Sequence, residues 1–529
     1  VSSLTGSVAL IRLALRRDRV RLVVWVVALA GLLGFSSAAV QDLYRTDADL
    51  AGYARLVLDN PAIVIQTGPG HGLDDPTVGA VLANETMGWS AVVVALLGVL
   101  TVSRHTRAEE ESGRAELVRA AVVGRHAPTA AALVVGAGAG AAVGAASTAA
   151  LAATGMGLAG SAAFGAALAA TGLALAAATL LAAQLTTSAR VTTGAGVAAV
   201  AVAFVLRAVG DVTGGPWSWL SPVGWAQSVR PWAGERWWVL GLPVAVSAAL
   251  VAGAWAVAAR RDLGAGLLRE RPGPARAAPW TTRPLGLTFR LQRGPLAAWS
   301  AGLATLGVSY GAVGDQVEEI LAVDPDLAEF LAAVGGAPLI DAFFATAMVM
   351  LALVGSGFAL SSALRARGEE LAGRAEVVLA TATSRWRWAG AHLAVAAGGS
   401  AVVVVVAGLG VGVGYAAVTG DATQVGRLLG AAAVQVPAVW VMVGLATAVW
   451  GLAPRATPAV WAGLALVVVV GLLGELLGLP QVVRNLSPFQ HTPPLPAAPM
   501  AWGPVLALVG VAAGLATAGL AGFARRDVG

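Results

Sequence analysis

A chain of 529 residues that is 57% hydrophobic and only 12% charged is excluded from the soluble globular enzymes, in which about 25% of residues carry charge. It has no cysteine, so disulfides and thiol chemistry are excluded and the redox compartment cannot be read. All 34 basic residues are arginine and the net charge is +5, an excess that membrane topology explains more simply than nucleic-acid binding.

Apolar runs of 18 or more residues recur along the chain, which predicts an all-α polytopic membrane protein. The short alternating strands of a membrane barrel are missing from the pattern. Twelve spans are expected, at 22–41, 83–103, 129–153, 157–185, 193–210, 237–259, 296–313, 340–364, 389–418, 428–452, 456–479 and 502–523. With an even number of crossings both termini share one side. That side carries 27 of the 34 arginines, so the positive-inside rule makes both termini cytoplasmic in a bacterial plasma membrane.

A basic amphipathic segment, Arg12 to Arg21, opens the chain and includes Arg16, Arg17 and Arg19. Its charged side chains suit the headgroup layer while its apolar ones dip inward. With the apolar run that follows it could be a cleaved signal peptide. A counterpart deep inside the chain, Arg283 to Arg293 with Arg290 and Arg293, argues that it is retained. After the second span comes a charged inner loop, Arg107-Ala-Glu-Glu-Glu-Ser-Gly-Arg-Ala-Glu116, and it returns as Arg367-Gly-Glu-Glu-Leu-Ala-Gly-Arg-Ala-Glu376. Before the sixth span lies a Trp-dense stretch from Trp217 to Trp238, which reads as an interfacial belt or as an in-plane helix at the outer exit.

Two further markers repeat at nearly the same displacement. Leu220-Ser-Pro222 returns as Leu486-Ser-Pro488, and Ala259-Arg-Arg-Asp-Leu-Gly264 as Ala524-Arg-Arg-Asp-Val-Gly529. They predict an internal duplication into two parallel six-helix halves: residues 1–262, a cytoplasmic linker with the start of the second interface helix at 263–290, and residues 291–529. Between the seventh and eighth spans, residues 315–341 carry seven acidic groups and no arginine, which reads as a solvated outer face. His71, in the Gly-rich outer loop, reads as a turn residue.

Projected as one helix, 107–120 aligns Glu109, Gly113 and Glu116 on a stripe, with Arg107 and Arg114 adjoining. An ordinary inner loop explains the arginines but not the glutamates, nor why both signs repeat in register at 367–385. That mismatch favours docking of a partner on both loops.

The pattern Glu…Gly-x-x-Glu…Arg, closing at Arg125 after Gly113 and at Arg385 after Gly373, resembles the cytoplasmic coupling segment of type-2 ABC exporter permeases. The fused twelve-span form, and Gly68-Pro-Gly-His-Gly-Leu-Asp-Asp-Pro76 in the outer loop, are similar to the actinobacterial exporters of polyketide antibiotics. Where many relatives have Pro, three residues before the closing Arg, this chain has Val122 and Ala382. The resemblance implies that Glu109, Glu110, Gly113, Arg114, Glu116 and Arg125, with Glu369, Glu370, Gly373, Arg374, Glu376 and Arg385, meet two separate ATPase subunits. ATP and Mg would sit on those subunits, and Arg16, Arg17, Arg19, Arg290 and Arg293 would belong to the interface helices beside them.

The chain contains no lysine, so it cannot supply the P-loop Lys that reaches the nucleotide phosphates, and it is expected to be no enzyme by itself. The rival reading is an ion-coupled secondary transporter of the twelve-span major facilitator type. That class normally needs ionisable residues within the membrane, and here Glu85, Asp341 and Glu475 lie toward outer ends. The favoured reading is export of hydrophobic or amphipathic compounds through the interface of the halves, past spans two, five, eight and eleven. Phe343, Phe344, Met348 and Met350 are candidates for that path, with ordinary packing as the alternative. Nucleic acid is not an expected partner; membrane lipid is.

Overall fold

The computed structural model describes residues 2–58, 60–261, 266–267, 275–314, 338–473 and 479–527, and among these there is no β-strand. Among the described residues ten helices are long and apolar enough to cross a membrane, which makes this a polytopic helical membrane protein. The expected seventh and eleventh spans fall outside those ten: one lies in a long helix that carries Pro295, and the other is described for only 15 residues. The chain divides into two compact units, Val1–Pro272 and Gly273–Gly529.

In the first unit, α1 (Ser7–Leu43) is followed by two short helices, α2 (Asp47–Leu58) and α3 (Pro61–Thr67). Next come α4 (Val78–Arg104), the short pair α5 (Arg107–Glu111) and α6 (Arg114–Arg119), then α7 (Ala127–Ala153), α8 (Leu158–Leu185) and α9 (Ala189–Thr213). The unit closes with a short α10 (Pro222–Ser228) and α11 (Gly241–Ala258). The expected interface segment is not a separate helix here. Nothing breaks the pattern between Arg12 and Trp25, so segment and first span run on as one helix of 37 residues.

The core forms around α4, where Val81, Leu82, Val94 and Leu97 are fully buried with Phe164 and Leu168 of α8. In lipid, helices gain nothing from hiding apolar side chains from one another, so small residues that let backbones approach become the adhesive. The run Gly136 to Gly140 works this way. Gly136 faces Val102 and Gly140 faces Gly172, while Gly138 between them points into open space.

At the far end of this unit from the charged pair α5–α6, Arg207 of α9 is wholly buried. It donates to the carbonyls of Ile65 at 2.8 Å and Val64 at 3.2 Å, and it pairs with Asp211. It thereby caps the C-terminal carbonyls of α3, adding to the bond that Val64 already accepts from the Gly68 amide at 3.0 Å. Trp232 adopts a positive φ of 55°. Its ring lies against Gly79 and Gly160, and its indole N–H donates to Gly157 at 3.1 Å. Of the tryptophans in this stretch, Trp225 is buried while Trp217, Trp219, Trp237 and Trp238 remain exposed.

The second unit repeats the order. It contains α12 (Pro284–Ala312), α13 (Leu339–Ala363), the short pair α14 (Arg365–Leu371) and α15 (Arg374–Leu379), and α16 (Arg385–Thr419). Then follow α17 (Thr423–Ala433), α18 (Val436–Leu452), α19 (Ala459–Leu473), a single turn α20 (Gln481–Arg484) and α21 (Trp502–Arg525). As in the first unit, the interface segment is continuous with the span that follows it.

Most of the acidic stretch 315–341 lies outside the described residues, as do Glu475 and most of the linker. Asp341 corrects the solvated reading where it can be tested: it is buried at the start of α13 and sits 2.5 Å from Arg427 of α17. Burial in lipid-facing structure is tolerable for a carboxylate only when a cation accompanies it. Phe344 and Met348 are fully enclosed within this unit's core beside Leu303 and Val411, and Phe343 and Met350 are half-buried against Tyr310.

Candidate functional site

The two charged segments form short elbows. A single helix through 107–120 would carry Glu109, Gly113 and Glu116 on one face, and this expectation is corrected. The helix stops at Ser112 and restarts at Arg114, because Gly113 has φ 73°. Gly373 does the same at φ 69°. Left-handed backbone costs most residues roughly 1–2 kcal/mol and glycine almost nothing, so the glycine fixes where the helix breaks.

The break turns the two glutamates of the presumed stripe in opposite directions. Glu109 folds inward across the elbow to Arg114 at 2.9 Å and also meets Arg17 of α1 at 2.9 Å. Glu369 spans its own elbow to Arg374 at 2.6 Å, with Arg365 at 3.4 Å. That contact holds the Arg374 guanidinium above the usual arginine range. Glu116 and Glu376 instead point outward and are exposed, each next to an exposed apolar neighbour, Leu117 or Val377.

Behind each elbow lies a buried charge frame. Glu110 accepts from Arg107 and from Arg261, both at 2.7 Å, and Arg261 also donates to Gln184 at 2.8 Å. Glu370 accepts from Arg526 at 2.5 and 2.9 Å, from the Trp450 indole at 3.0 Å, and pairs with Arg367 at 3.1 Å. The second arginine of the repeated Ala-Arg-Arg-Asp motif is therefore the clamp on the second glutamate of each loop. Sequence reading registered that motif only as a marker of duplication. A residue more than 150 positions away leaves no spacing signal, but the joint repetition of the two motifs was a usable hint.

A strap closes each elbow. Arg125 donates to the carbonyl of Ala258 at 3.0 Å, at the end of the unit's last span, and Arg385 donates to Ala524 at 3.1 Å and Arg526 at 2.6 Å. The last carbonyls of a helix have no amide donor within the helix, and a cation there also complements the helix dipole. Arg16, Arg19, Arg290 and Arg293 are exposed on the interface segments.

Sequence reading also missed Asp18. It is 1% exposed on α1, 2.8 Å from His105 and 3.1 Å from the Arg104 guanidinium. In the repeat its place is taken by Gln292, equally buried, whose side-chain oxygen accepts from Ser362. One half thus holds a charged contact between interface segment and second span, and the other a neutral one.

Comparison with known proteins agrees with a transport role for this architecture. Residues 282–524 match the family model described as the multidrug efflux system permease Rv1217c, C-terminal domain. The whole chain is 42% identical over 530 residues to the multidrug efflux system permease protein Rv1217c of Mycobacterium tuberculosis, covering 100% of this chain and 96% of that protein. Identity at this level along the full length shows that the chain belongs to the Rv1217c family of efflux system permeases.

Proposed function

We infer that the chain is the membrane permease of an ATP-driven multidrug exporter of the type-2 ABC class, and that its two elbows are the docking points for two separate ATPase subunits. The observation that carries this is the repeated division of labour in the elbows. In each, one glutamate is consumed by the buried frame, one braces the glycine break, and a third (Glu116 or Glu376) is left exposed beside an apolar side chain. A mere solvated turn has no need of a clamped base. A segment that must pass force to the spans does.

On this reading ATP and Mg belong to the partner ATPases, because a chain without lysine cannot build the P-loop. The substrates are hydrophobic or amphipathic compounds, with polyketide-type antibiotics as the class that the sequence resemblance favours, and they leave across the plasma membrane. The purified chain alone should hydrolyse no ATP above background, and should copurify with two copies of a soluble ATPase.

The docking assignment is tested with Glu116→Arg and Glu376→Arg, singly and together, followed by pull-down of the ATPase and by drug transport. Reversing a carboxylate that is desolvated in the contact costs roughly 2–5 kcal/mol, against about 0–1 kcal/mol at an exposed rim. If the double variant still binds its ATPase and pumps at the wild-type rate, the elbows are solvated turns and the assignment is lost.

A further inference from the structure

The elbows are built alike, but the space behind them is not. In the second unit Trp388, Trp450 and Phe523 fill it as one cluster, with Trp450 and Phe523 stacked at 4.6 Å between ring centroids. The residues that align with them in the first unit, at the displacements set by the repeats, are Pro128, Gln184 and Ala258. All three line a cavity of about 100 Å³. That is room for several waters or one headgroup-sized group.

The chemistry of its walls is also one-sided. Leu10 and Leu13 of α1 supply an apolar side, and Arg17, Arg119 and Arg125 face the same space. Glu109 and Glu110 line it too, yet both are already neutralised, by Arg17 with Arg114 and by Arg107 with Arg261. Among the described residues Arg125 is held by carbonyl oxygens, and Arg119 is exposed. Two guanidiniums without a carboxylate partner among the described residues therefore remain at an amphipathic cavity, near the end of α1 where headgroups would lie. Guanidinium forks suit phosphate and carboxylate oxygens. In the second unit the positions of Arg17 and Arg119 hold Leu291 and Leu379, so the cations are lost together with the space.

We propose that the cavity behind the first elbow is a binding site for an anionic amphiphile, a phosphate or carboxylate headgroup on an acyl chain, and that the second half has no equivalent. The headgroup is taken by Arg119 and Arg125, and the first methylenes of the chain lie along Leu10 and Leu13. This goes beyond the docking of ATPases and does not require it, since binding is read on the permease alone.

The test uses the full chain in detergent, with native mass spectrometry following retained phosphatidylglycerol against phosphatidylcholine, and with oleate and inorganic phosphate as competitors. Wild type should retain phosphatidylglycerol at least tenfold over phosphatidylcholine, and oleate should compete where inorganic phosphate does not. Ala258→Phe, which fills the space as the second half does, and Arg119→Leu, which alters only an exposed side chain, should each cut retention about fivefold or more. Equal retention of the two lipids, or undiminished retention in the folded Arg119→Leu variant, overturns the site. Displacement by inorganic phosphate as effective as that by oleate overturns the amphiphile and leaves a simple anion.

Discussion

Arg261, at the end of the first unit's last span, sits 2.7 Å from Glu110 in a loop that follows its second span. The same bond joins Arg526 to Glu370 in the second unit. Each elbow is thus tied to two spans, the one it continues and the one that ends the unit. Whatever pushes on an elbow pushes on both.

Neutralising the clamped glutamate should be costly. Glu110→Gln or Glu370→Gln leaves a buried guanidinium short of its counter-charge, a loss of about 3–5 kcal/mol for a buried pair. The exposed controls Glu116→Gln and Glu376→Gln should change stability by less than about 0.5 kcal/mol. Thermal unfolding of the purified variants in one detergent checks the contrast, and equal melting temperatures for Glu110→Gln and Glu116→Gln would refute it.

The straps should matter less than the clamps. Arg125→Ala or Arg385→Ala removes charge-assisted hydrogen bonds to carbonyls, each worth roughly 1.5–3 kcal/mol, and leaves those carbonyls near water. Hydrogen exchange should show faster amide opening at the C-terminal turn of α11 or α21 in the matching variant only.

Replacing Asp18 and replacing Gln292 should have different costs. Asp18→Asn is expected to cost about 1–3 kcal/mol, as for hydrogen bonds to charged groups, and Gln292→Met about 1 kcal/mol, as for neutral ones. A double-mutant cycle of Asp18→Asn with Arg104→Ala should return a coupling energy of at least about 0.5 kcal/mol. Strict additivity would show that the 3.1 Å approach contributes nothing.

Acid should destabilise the loop at the opposite end from the elbows. Burial first, and then Arg230 and Arg236, hold the His71 imidazole down at about 4. A histidine whose folded value lies below its unfolded one binds fewer protons when folded. Its contribution is fully present above pH 6.5 and is lost as pH falls from there toward 4. With partial exposure discounted, the loss is on the order of 1–3 kcal/mol. His71→Asn should flatten the melting temperature between pH 6.5 and 4.5, and an unchanged slope would exclude His71 as its source.

Helix content, the duplicated order of parts and the position of both elbows were legible because each rests on a local pattern: apolar length, a repeated motif, a glycine among charges. Direction was not. Glu109 and Glu116 are indistinguishable by period, and only the dihedral at Gly113 sends one inward and the other out. The clamp left only the joint repetition of its two motifs as a hint, for a different reason. Arg261 and Glu110 are joined by packing of α8, α11 and α5, and no pairwise spacing encodes that. Asp18 was overlooked because a lone acid among five arginines reads as solvated charge, although its repeat counterpart, Gln292, marks the position as one that tolerates little exposure.

The glycine at each elbow also carries a lesson about handedness. A Cβ added at Gly113 or Gly373 would meet no atom within 4 Å, so lack of room for a first carbon does not reserve these positions for glycine. Chirality does. Among the L-residues asparagine comes nearest to glycine there, since it alone with aspartate visits this backbone region with any regularity. Evolution could therefore decorate the tip of either elbow with a short amide to retune its partner, while valine or isoleucine at the same point would straighten the chain and erase the bend.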